Sequence, residues 1–340
     1  MKRLNELTQV GRGRRLRPVA RALLKEYGMA SPRLTQLTEA SNIIYKVSDP
    51  KLGEFVLRVT APKSCHGPEE TRSEVAWLHA LVEETEIGCP APVARLDGDF
   101  VSEFDVPGER LSLCSSLFRW VPGRMLDDVL TPANVMRQGT LMARLHSHAA
   151  TFAPPEAFRI RTYDSVFPYA AEGFAGLEPL VLFNDGADAP LTPKQRTTYL
   201  AAHTLIAREF EKLLQSGESL RVIHNDLHVW NVKVDRDRLY ALDFEDMMWG
   251  YPVQDIATTL YYYRWREDFE TLLAAFRGGY EDVADWPESR AGQIETLIMG
   301  RALLLANFIA VSEDSEDISF APEYLQRVEK RLRTYLDTEG

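Results

Sequence analysis

The sequence predicts an α+β protein of two lobes: a small β-rich amino-terminal lobe and a larger, mainly helical carboxy-terminal lobe. The chain of 340 residues is long enough for two hydrophobic cores. Short segments rich in β-branched and aromatic residues dominate up to about Phe118, and long segments with helix-start signals follow. The boundary falls at the strand-to-turn passage LFRWVPG. We therefore assign residues 1–118 to the first lobe, 119–123 to the connection and 124–340 to the second lobe.

The first lobe is predicted to contain a helix, a β-hairpin and a second helix. A helix is predicted over residues 19–28, ending at Gly28. Asn42–Ser48 and Glu54–Thr60 are rich in β-branched and aromatic residues and flank DPKLG, so they predict a hairpin. The next helix begins at Pro68, and acidic residues follow at the positive end of its dipole. Its apolar face is predicted to consist of Val75, Leu78 and Val82.

Helix-start signals recur in the second lobe. Thr131 with Pro132, and Thr192 with Pro193, are typical of the first residues of a helix. Residues 151–190 between them are rich in Pro, Phe, Gly and Asp and have weak periodicity, and an irregular segment of that length often has a function. From about Val253 onward the pattern is helical again.

Composition and charge favour an ordinary soluble protein and argue against nucleic acid as a partner. The formal net charge is −11 at pH 7, whereas a nucleic-acid partner requires a basic face. Acidity favours solubility and leans weakly toward a cationic or zwitterionic small ligand. The sequence does not indicate an oligomeric state. We expect a cytoplasmic protein with reduced thiols, because its three cysteines are isolated: Cys65, Cys89 and Cys114.

No segment is expected to enter a membrane. The amino-terminal residues MKRLNELTQVGRGRRLRP lack the long apolar run and the cleavage site of a secretory signal. The most apolar later stretch, Leu297 to Val311, is short for a bilayer and contains Arg301. We interpret this stretch as a buried helix.

The stretch VIHNDLHVWNVKVDRDRLYALDFED, from Val222 to Asp246, places many polar residues against two short strands. NVKV and RLYALDF flank DRDR, which supplies the turn of a hairpin. The outer ends of an antiparallel hairpin meet, so we expect Asp226 and Asn231 to lie close to Asp243. Carboxylate and amide oxygens suit Mg²⁺, and a further acid can accept a hydroxyl proton; phosphoryl transfer requires both roles. A solvated, turn-rich hairpin is the alternative interpretation.

This stretch also resembles a known signature. HNDLHVWN followed by DFE is similar to the catalytic and metal-binding motifs of kinase-like folds, in the HGDLHPGN form of the superfamily of aminoglycoside phosphotransferases, choline kinases and homoserine kinases. The resemblance extends from about Leu34 to Phe308. It implies a protein-kinase-like fold. The departures, Asn225 for Gly and Val229-Trp230 for Pro-Gly, remove neither an acid nor a metal ligand.

The resemblance implies a role for each residue of the catalytic loop. Asp226 corresponds to the catalytic base. His224 corresponds to the histidine that supports the loop by packing and hydrogen bonding. His228, two residues after the base, would stabilise charge on the transferring phosphate. Asp255 corresponds to the aspartate at a helix start that braces the loop. His146 and His148 are interpreted as structural.

The resemblance also implies the metal and nucleotide contacts. Asn231 and Asp243 correspond to Mg²⁺ ligands, and Glu245 to an acid that can approach a second metal ion. Ser41 and Asn42 stand where a short turn covers the β-phosphate of ATP. Further nucleotide contacts are expected from a phosphate-pairing strand residue, its carboxylate partner on the next helix, and the backbone of the connection: Arg58, Glu74, Arg119, Trp120 and Val121. Phe118 and the Trp120 ring would line the purine pocket.

Together these expectations describe a kinase that uses ATP and Mg²⁺ to phosphorylate a hydroxyl group of a small molecule. An aminoglycoside or other antibiotic, an amino alcohol and a homoserine-like compound are the candidate acceptors. The acceptor would lie against the helical lobe, lined in part by residues 151–190. One alternative is a bacterial Ser/Thr protein kinase of the same superfamily. Another is a nucleotide-binding pseudokinase that serves as an interaction module, which the complete set of acids and amide disfavours. The acidic run Ser312–Asp317 is interpreted as a solvated loop.

Overall fold

The computed structural model describes residues 2–39, 42–62, 64, 66–170, 178–187, 189–312 and 314–339. Ser41, Cys65 and part of the run Ser312–Asp317 lie outside the described residues. Within them the chain forms the two predicted parts, a sheet-based lobe followed by a mainly helical lobe. Residues 120–123 join the last strand of the first sheet to the next strand of the chain.

One antiparallel sheet of five strands, in the order β1-β2-β3-β5-β4, forms the centre of the first lobe. Its β2–β3 hairpin is the predicted one: Asn42 pairs with Thr60, and Asp49 pairs with Gly53. Gly53 has a φ of 99°, which the tight turn requires and which few other residues adopt. The strands are β1 (Arg33–Glu39), β2 (Asn42–Asp49), β3 (Gly53–Thr60), β4 (Val101–Asp105) and β5 (Ser112–Arg119).

The first helix, α1, is longer than predicted. It runs from Gln9 to Leu23, continues as a 3₁₀ turn and ends at Gly28, whose φ is 76°. The prediction over 19–28 was correct only at the carboxyl end. The hydroxyl of Tyr45 donates to the Gly13 carbonyl at 2.7 Å, so contacts with the sheet hold a segment of low helix propensity. That propensity is low because the segment contains Gly11, Gly13 and Pro18.

The second helix, α2 (Pro68–Glu84), begins where the sequence predicts. Val75 and Leu78 are buried, but Val82 is 37% exposed, so the predicted apolar face was wrong at Val82. Trp77 and Leu81 complete the buried face instead. Glu74 lies on this face, turned toward the sheet.

The second lobe consists mainly of helices. The starts predicted at Pro132 and Pro193 are confirmed, and the hydroxyls of Thr131 and Thr192 each accept a hydrogen bond from the backbone N–H three residues on. Residues 151–190 are irregular apart from a 3₁₀ turn at Pro168–Ala170, as far as they are described. The helices are α3 (Pro132–Ala149), α4 (Pro193–Gln215), α5 (Pro252–Tyr261), α6 (Phe269–Glu281), α7 (Gln293–Val311) and α8 (Ser315–Glu339).

Helices α3 and α6 touch backbone to backbone. A Cβ atom at Gly139 would lie 2.0 Å from the Phe276 carbonyl oxygen. A Cβ atom at Gly279 would lie 1.8 Å from the Met136 carbonyl oxygen. Glycine is therefore required at both positions, and the close crossing holds α3, which carries His146, against the centre of the lobe.

Within the described residues, α7 is long and apolar enough to cross a bilayer, judged by length and composition alone. However, 67% of its apolar window is buried inside the protein, which confirms the prediction of a buried helix. The helix starts at Gln293, four residues before the predicted Leu297. Arg301 lies near its middle and is 6% exposed.

Short strands position the polar stretch between the helices. The predicted hairpin is confirmed, since Val232 pairs with Ala241 and Asp235 with Arg238. One loop leads into this hairpin and a second loop leaves it, and the two loops lie side by side facing the first lobe. The strands are β6 (Arg124–Met125), β7 (Arg221–Ile223), β8 (Val232–Asp235), β9 (Arg238–Ala241) and β10 (Met248–Gly250), with β6-β8-β9 in one sheet and β7 paired with β10.

Candidate active site

The loop between β7 and β8 is braced by Asp255, in the first turn of α5. Asp255 is fully buried; its carboxylate accepts the backbone N–H of His224 at 2.9 Å and that of Asn225 at 2.8 Å. His146 Nε2 lies 2.9 Å from the same carboxylate. Burial by itself would raise the pKa of Asp255, but the hydrogen bond and charge of His146 bring it below its ordinary value. The predicted bracing role of Asp255 is confirmed, as is the structural role of His146.

The loop itself is held in an unusual backbone conformation. Asn225 has a φ of 63°, a left-handed conformation that Asn tolerates better than most residues, which explains Asn where related sequences have Gly. His224 is fully buried, with Nε2 2.9 Å from the Leu242 carbonyl and Nδ1 accepting the Asp226 N–H at 3.3 Å. Burial lowers the pKa of His224. His224 therefore supports the loop as a neutral ring and cannot touch a substrate.

The carboxylate of Asp226 is held by three side chains. Its Oδ2 accepts a hydrogen bond from Asn231 Nδ2 at 2.8 Å and lies 3.3 Å from His228 Nε2. Its Oδ1 accepts a hydrogen bond from Arg301 Nη2 at 2.6 Å. The Asp226 side chain is 15% exposed. A fixed carboxylate that remains accessible from the cleft is what a general base for an alcohol requires.

The ring of His228 also points toward this carboxylate. His228 Nδ1 accepts the backbone N–H of Trp230 at 3.2 Å. This bond assigns the proton of the neutral ring to Nε2, the atom that faces Asp226. The ring packs edge-on against Tyr262, with centroids 4.5 Å apart. His228 can therefore donate a hydrogen bond from Nε2 on the Oδ2 side of the Asp226 carboxylate.

Arg301 is the site residue that the sequence analysis missed. It was noted there only as a charge within an apolar stretch. The sequence did contain a signal, because burying a lone arginine in an apolar helix costs much free energy unless an acid pairs with it. The sequence does not say which acid that partner is, and Asp226 lies 75 residues away along the chain.

The acids after β9 form a second group beside Asp226. The Leu242 N–H donates to the Asn231 carbonyl at 2.8 Å, so Asn231 and Asp243 are neighbours across the hairpin end, as predicted. Asp243 is about half exposed in the cleft. Desolvation by the protein around the cleft raises the pKa of Asp243 above its ordinary value, and the nearby carboxylate of Glu245 raises it further. A bound cation would reverse this effect, because it favours the ionised carboxylates.

The donors in this group fit a hard divalent cation. Asn231 Nδ2 donates to the backbone carbonyl and to the carboxylate of Asp226, so its Oδ1 is turned away from Asp226. Two carboxylates and one amide oxygen suit Mg²⁺, which completes its coordination with water and phosphate oxygens. Among the described residues, no group of three or more His, Cys, Asp or Glu side chains has the spacing of a metal site. The predicted ligand set, Asn231, Asp243 and Glu245, contains only two such side chains and relies on an amide oxygen for the third ligand.

A buried ion pair of the first lobe faces these acids. Arg58 in β3 donates through Nη1 to Glu74 Oε1 at 2.8 Å and through Nη2 to Glu74 Oε2, so the predicted pair is confirmed and is bidentate. Arg58 Nη1 also lies 4.0 Å from Asp243 Oδ1. Burial would lower the pKa of Arg58, but Glu74 raises it above its ordinary value. From the same lobe, Asn42 Nδ2 donates to Glu245, which links the predicted phosphate-covering turn to the acids.

Some backbone N–H groups at the connection between the lobes already donate hydrogen bonds within the protein. The Arg119 N–H donates to the Ala91 carbonyl at 2.8 Å, and the Trp120 N–H donates to the Glu54 carbonyl at 3.1 Å. Two of the predicted backbone donors are therefore taken, and the predicted adenine contact is left to Val121. The guanidinium of Arg119 packs on the ring of Phe55, 4.6 Å from the centroid, and donates to the Leu52 carbonyl at 3.0 Å.

The ammonium groups of two lysines lie over the ring of Trp120. Lys46 Nζ lies 4.3 Å from the ring centroid, and Lys233 Nζ lies 4.4 Å from it. Lys233 also donates to the Val121 carbonyl at 2.9 Å. Phe118 is buried, and Arg58 lies over its ring. The predicted purine pocket therefore has a cationic edge as well as aromatic residues.

A further acid, Asp246, is contacted by one residue from each lobe. The Tyr169 hydroxyl donates to Asp246 Oδ1, and His66 Nε2 lies 3.3 Å from the same oxygen. Burial would raise the pKa of Asp246, but His66, Tyr169 and Arg301 bring it below its ordinary value. Burial raises the pKa of Glu178 above its ordinary value, although a hydrogen bond from Asn307 acts to lower it.

Helix α7 holds the segment that contains Glu178. Asn307 Nδ2 donates to Glu178 Oε1 at 2.7 Å. The Oδ1 atom of Asn307 accepts the backbone N–H groups of Val181 and Leu182, at 3.0 and 3.1 Å. Both functional groups of the Asn307 amide are thus used, and the segment Glu178–Leu182 is fixed to the helix that carries Arg301.

Known proteins resemble this chain in sequence and in fold. The amicoumacin kinase of Bacillus subtilis (strain 168) is 21% identical over 243 residues, which are 70% of this chain and 66%, slightly under two thirds, of that protein. A solved microcompartment-associated aminopropanol kinase superposes with a TM-score of 0.79 at 22% identity, over 95% of this chain and 98% of the other. An amicoumacin kinase solved with AMP-PNP, Ca²⁺ and Ami superposes with a TM-score of 0.72 at 18% identity, over 93% and 96%.

At these identities the solved structures show the fold, and they confirm the predicted two-lobed, protein-kinase-like architecture. The family model described as the phosphotransferase enzyme family, APH, matches residues 33–291. This match includes the sheet of the first lobe, the catalytic loop and the acids after β9. Because it covers well over half of the sequence, the chain belongs to the phosphotransferase enzyme family.

Proposed function

We propose that this protein is an ATP- and Mg²⁺-dependent kinase that transfers the γ-phosphate to a hydroxyl group of a small molecule. The observation that carries the proposal is the accessible carboxylate of Asp226, fixed on both oxygens beside the donors Asn231 and Asp243. The Arg58–Glu74 pair faces the same place from the other lobe. One structural neighbour was solved with AMP-PNP and Ca²⁺, which supports a nucleotide and a divalent cation as the co-substrate and cofactor.

Each residue of the site has a defined task in this reaction. Asp226 accepts a hydrogen bond from the acceptor hydroxyl and takes its proton as the oxygen bonds to the γ-phosphorus. The bond from that phosphorus to the β–γ bridging oxygen breaks, and ADP leaves. Asn231 and Asp243 would hold Mg²⁺, which supplies positive charge to the phosphate oxygens when bound. Arg58 orients the nucleotide phosphates, and His228 Nε2–H donates to the transferring group.

The acceptor most consistent with the site carries an amino group. The backbone carbonyl of Asp246 accepts a hydrogen bond from Asn225 Nδ2, next to the base, so the Asp246 carboxylate places negative charge in this part of the cleft. The whole chain has a net charge of −11. An ammonium group would be attracted to this region, whereas an anionic acceptor would be repelled except at Arg301. A structural neighbour is an aminopropanol kinase and another is a spectinomycin phosphotransferase, which supports amino alcohols and aminoglycosides as the first classes to test.

The proposal is tested by thermal unfolding in the presence of ligands. We expect MgATP to raise the unfolding midpoint, because a ligand at a hundred times its Kd stabilises the native state by about 2.7 kcal/mol. One class from a panel of amino alcohols, hydroxy amino acids and aminoglycosides should raise the midpoint further and should promote ADP release. ATP with EDTA and Mg²⁺ without nucleotide serve as controls. Absence of a shift with every nucleotide would contradict the kinase proposal and favour an interaction module.

The Arg58–Glu74 pair gives a second expected result. Replacing Arg58 by Met leaves the buried Glu74 carboxylate without its partner, so we expect a loss of unfolding free energy of about 3–5 kcal/mol together with weaker MgATP binding. The double variant Arg58→Met/Glu74→Leu should recover stability, because two apolar side chains replace two charges. It should not recover nucleotide affinity. Urea unfolding and nucleotide titration separate the two effects, and wild-type MgATP affinity in the double variant would exclude a nucleotide role for Arg58.

A further inference from the structure

Arg301 has no task in the reaction outlined above, although among the described residues it makes the shortest side-chain contact to the proposed base. It is 6% exposed and lies in a helix whose other buried residues nearby are mostly apolar. Burying a guanidinium costs free energy unless the group is fully paired. The carboxylate that pairs with it is that of Asp226, 2.6 Å from Nη2.

The pairing of Arg301 is incomplete. Its Nη2 lies 3.3 Å from the Tyr262 hydroxyl, at the long end for a hydrogen bond. Its Nε is buried and has no hydrogen-bond partner within the described part of the chain. A guanidinium has five N–H donors, so this environment satisfies it poorly. An apolar side chain would suit the interior of α7 better, and stability alone therefore does not account for an arginine here.

The two oxygens of Asp226 are held by different parts of the protein. Asn231 and His228, both in the catalytic loop, contact Oδ2. Arg301, on α7, contacts Oδ1. Without Arg301, every side-chain contact to the carboxylate would fall on one oxygen, and the carboxylate plane could turn about its Cβ–Cγ bond. With Arg301, both oxygens are fixed, and the orientation of the carboxylate is set by a helix outside the loop.

We propose that Arg301 is a positioning residue, which orients the Asp226 carboxylate so that the free lone pair of Oδ1 faces the acceptor hydroxyl. This inference rests on the proposed kinase function, because it assigns Arg301 an effect that operates through the base. Arginine suits this task better than lysine, since the planar guanidinium fixes the direction of the Nη2–H bond, whereas an ammonium group can rotate its donors. Misplacing a reacting group by about 1 Å costs on the order of a hundredfold in rate.

The test measures turnover of MgATP with the best acceptor of the panel, and with water as the acceptor, for Arg301→Met and Arg301→Lys. We expect kcat to fall about 10- to 100-fold in Arg301→Met, with Kd for MgATP within about twofold of wild type. Arg301→Lys should be intermediate. Arg264→Met is the matched control: it breaks the ion pair from Arg264 to Glu295 in the first turn of α7, outside the site, and should leave kcat unchanged.

A double-mutant cycle separates positioning from a structural role. If Arg301 acts through Asp226, then Arg301→Met should cause no further loss when added to Asp226→Asn. An additional loss of similar size in that background would overturn the inference, as would a kcat of Arg301→Met within twofold of wild type. If Arg301→Met does not fold, Arg301→Lys alone decides: the inference requires a lower kcat at unchanged MgATP affinity, and a wild-type kcat overturns it. A wild-type protein that binds MgATP but turns it over no faster with any acceptor of the panel than with water would instead overturn the proposed function.

Discussion

Replacement of Asp226 by Asn is expected to lower kcat by about 10²- to 10⁴-fold, the usual contribution of a positioned general base. Asn has nearly the same shape and can still bond with Asn231, but it cannot take the proton of an alcohol. Affinity for MgATP should stay within about twofold of wild type, because Asp226 is not among the expected metal or nucleotide ligands. Rapid-quench turnover and nucleotide titration measure the two quantities separately.

The control for this substitution is Asp237→Asn, in the turn of the same hairpin. The Asp237 side chain is 90% exposed and pairs with Arg137 at the surface, so its replacement should change neither kcat nor binding. Retention of more than a tenth of wild-type kcat in Asp226→Asn would rule out Asp226 as the base. Loss of MgATP binding would show that Asp226 has a different role, at the nucleotide.

Replacement of Asp255 by Ala is expected to cause one of the largest losses of stability in the protein. Its carboxylate is fully buried and accepts two backbone N–H groups, from His224 and Asn225, and a hydrogen bond with His146. Removing it leaves three buried donors unsatisfied and should cost about 3–5 kcal/mol of unfolding free energy. Activity should fall as well, because the strained backbone of Asn225 loses its anchor.

Urea unfolding of Asp255→Ala beside Asp268→Ala measures this effect. Asp268 also stands at a helix start, but its carboxylate is half exposed and pairs with Arg266 at the surface, so its loss should change the unfolding free energy little. The pKa of Asp255 is lower in the folded protein, so the stability it contributes is complete above about pH 4 and is lost as the pH falls through the folded pKa. An unfolding free energy within 1 kcal/mol of wild type for Asp255→Ala would contradict the bracing role.

Much of the fold follows from local patterns of the sequence. The β2–β3 hairpin, the start of α2 and the hairpin of the catalytic stretch are all specified by residues close together in the chain, and all are confirmed. The Arg58–Glu74 pair was predictable for a different reason: a cation on a buried strand needs a carboxylate, and the next helix offers one on its apolar face.

The features that escaped prediction depend on distant parts of the chain. Helix α1 contains two glycines and a proline, and it is helical because it packs on the sheet. The backbone donors of Arg119 and Trp120 are taken by carbonyl groups of Ala91 and Glu54, which no local pattern reveals. The contact of Arg301 with Asp226 likewise joins a helix and a loop 75 residues apart.

The contacts of α7 affect how related proteins can come to accept different acceptor molecules. Arg301 meets the base and Asn307 meets the segment Glu178–Leu182, and the two positions lie about 9 Å apart along the helix axis at 1.5 Å per residue. The segment can therefore exchange side chains and admit a different molecule while Asp226 keeps its place. An insertion in α7 between the two positions would disturb the base and the segment at once. Evolution of a new substrate range is thus easiest through the segment, with the helix kept unchanged in length.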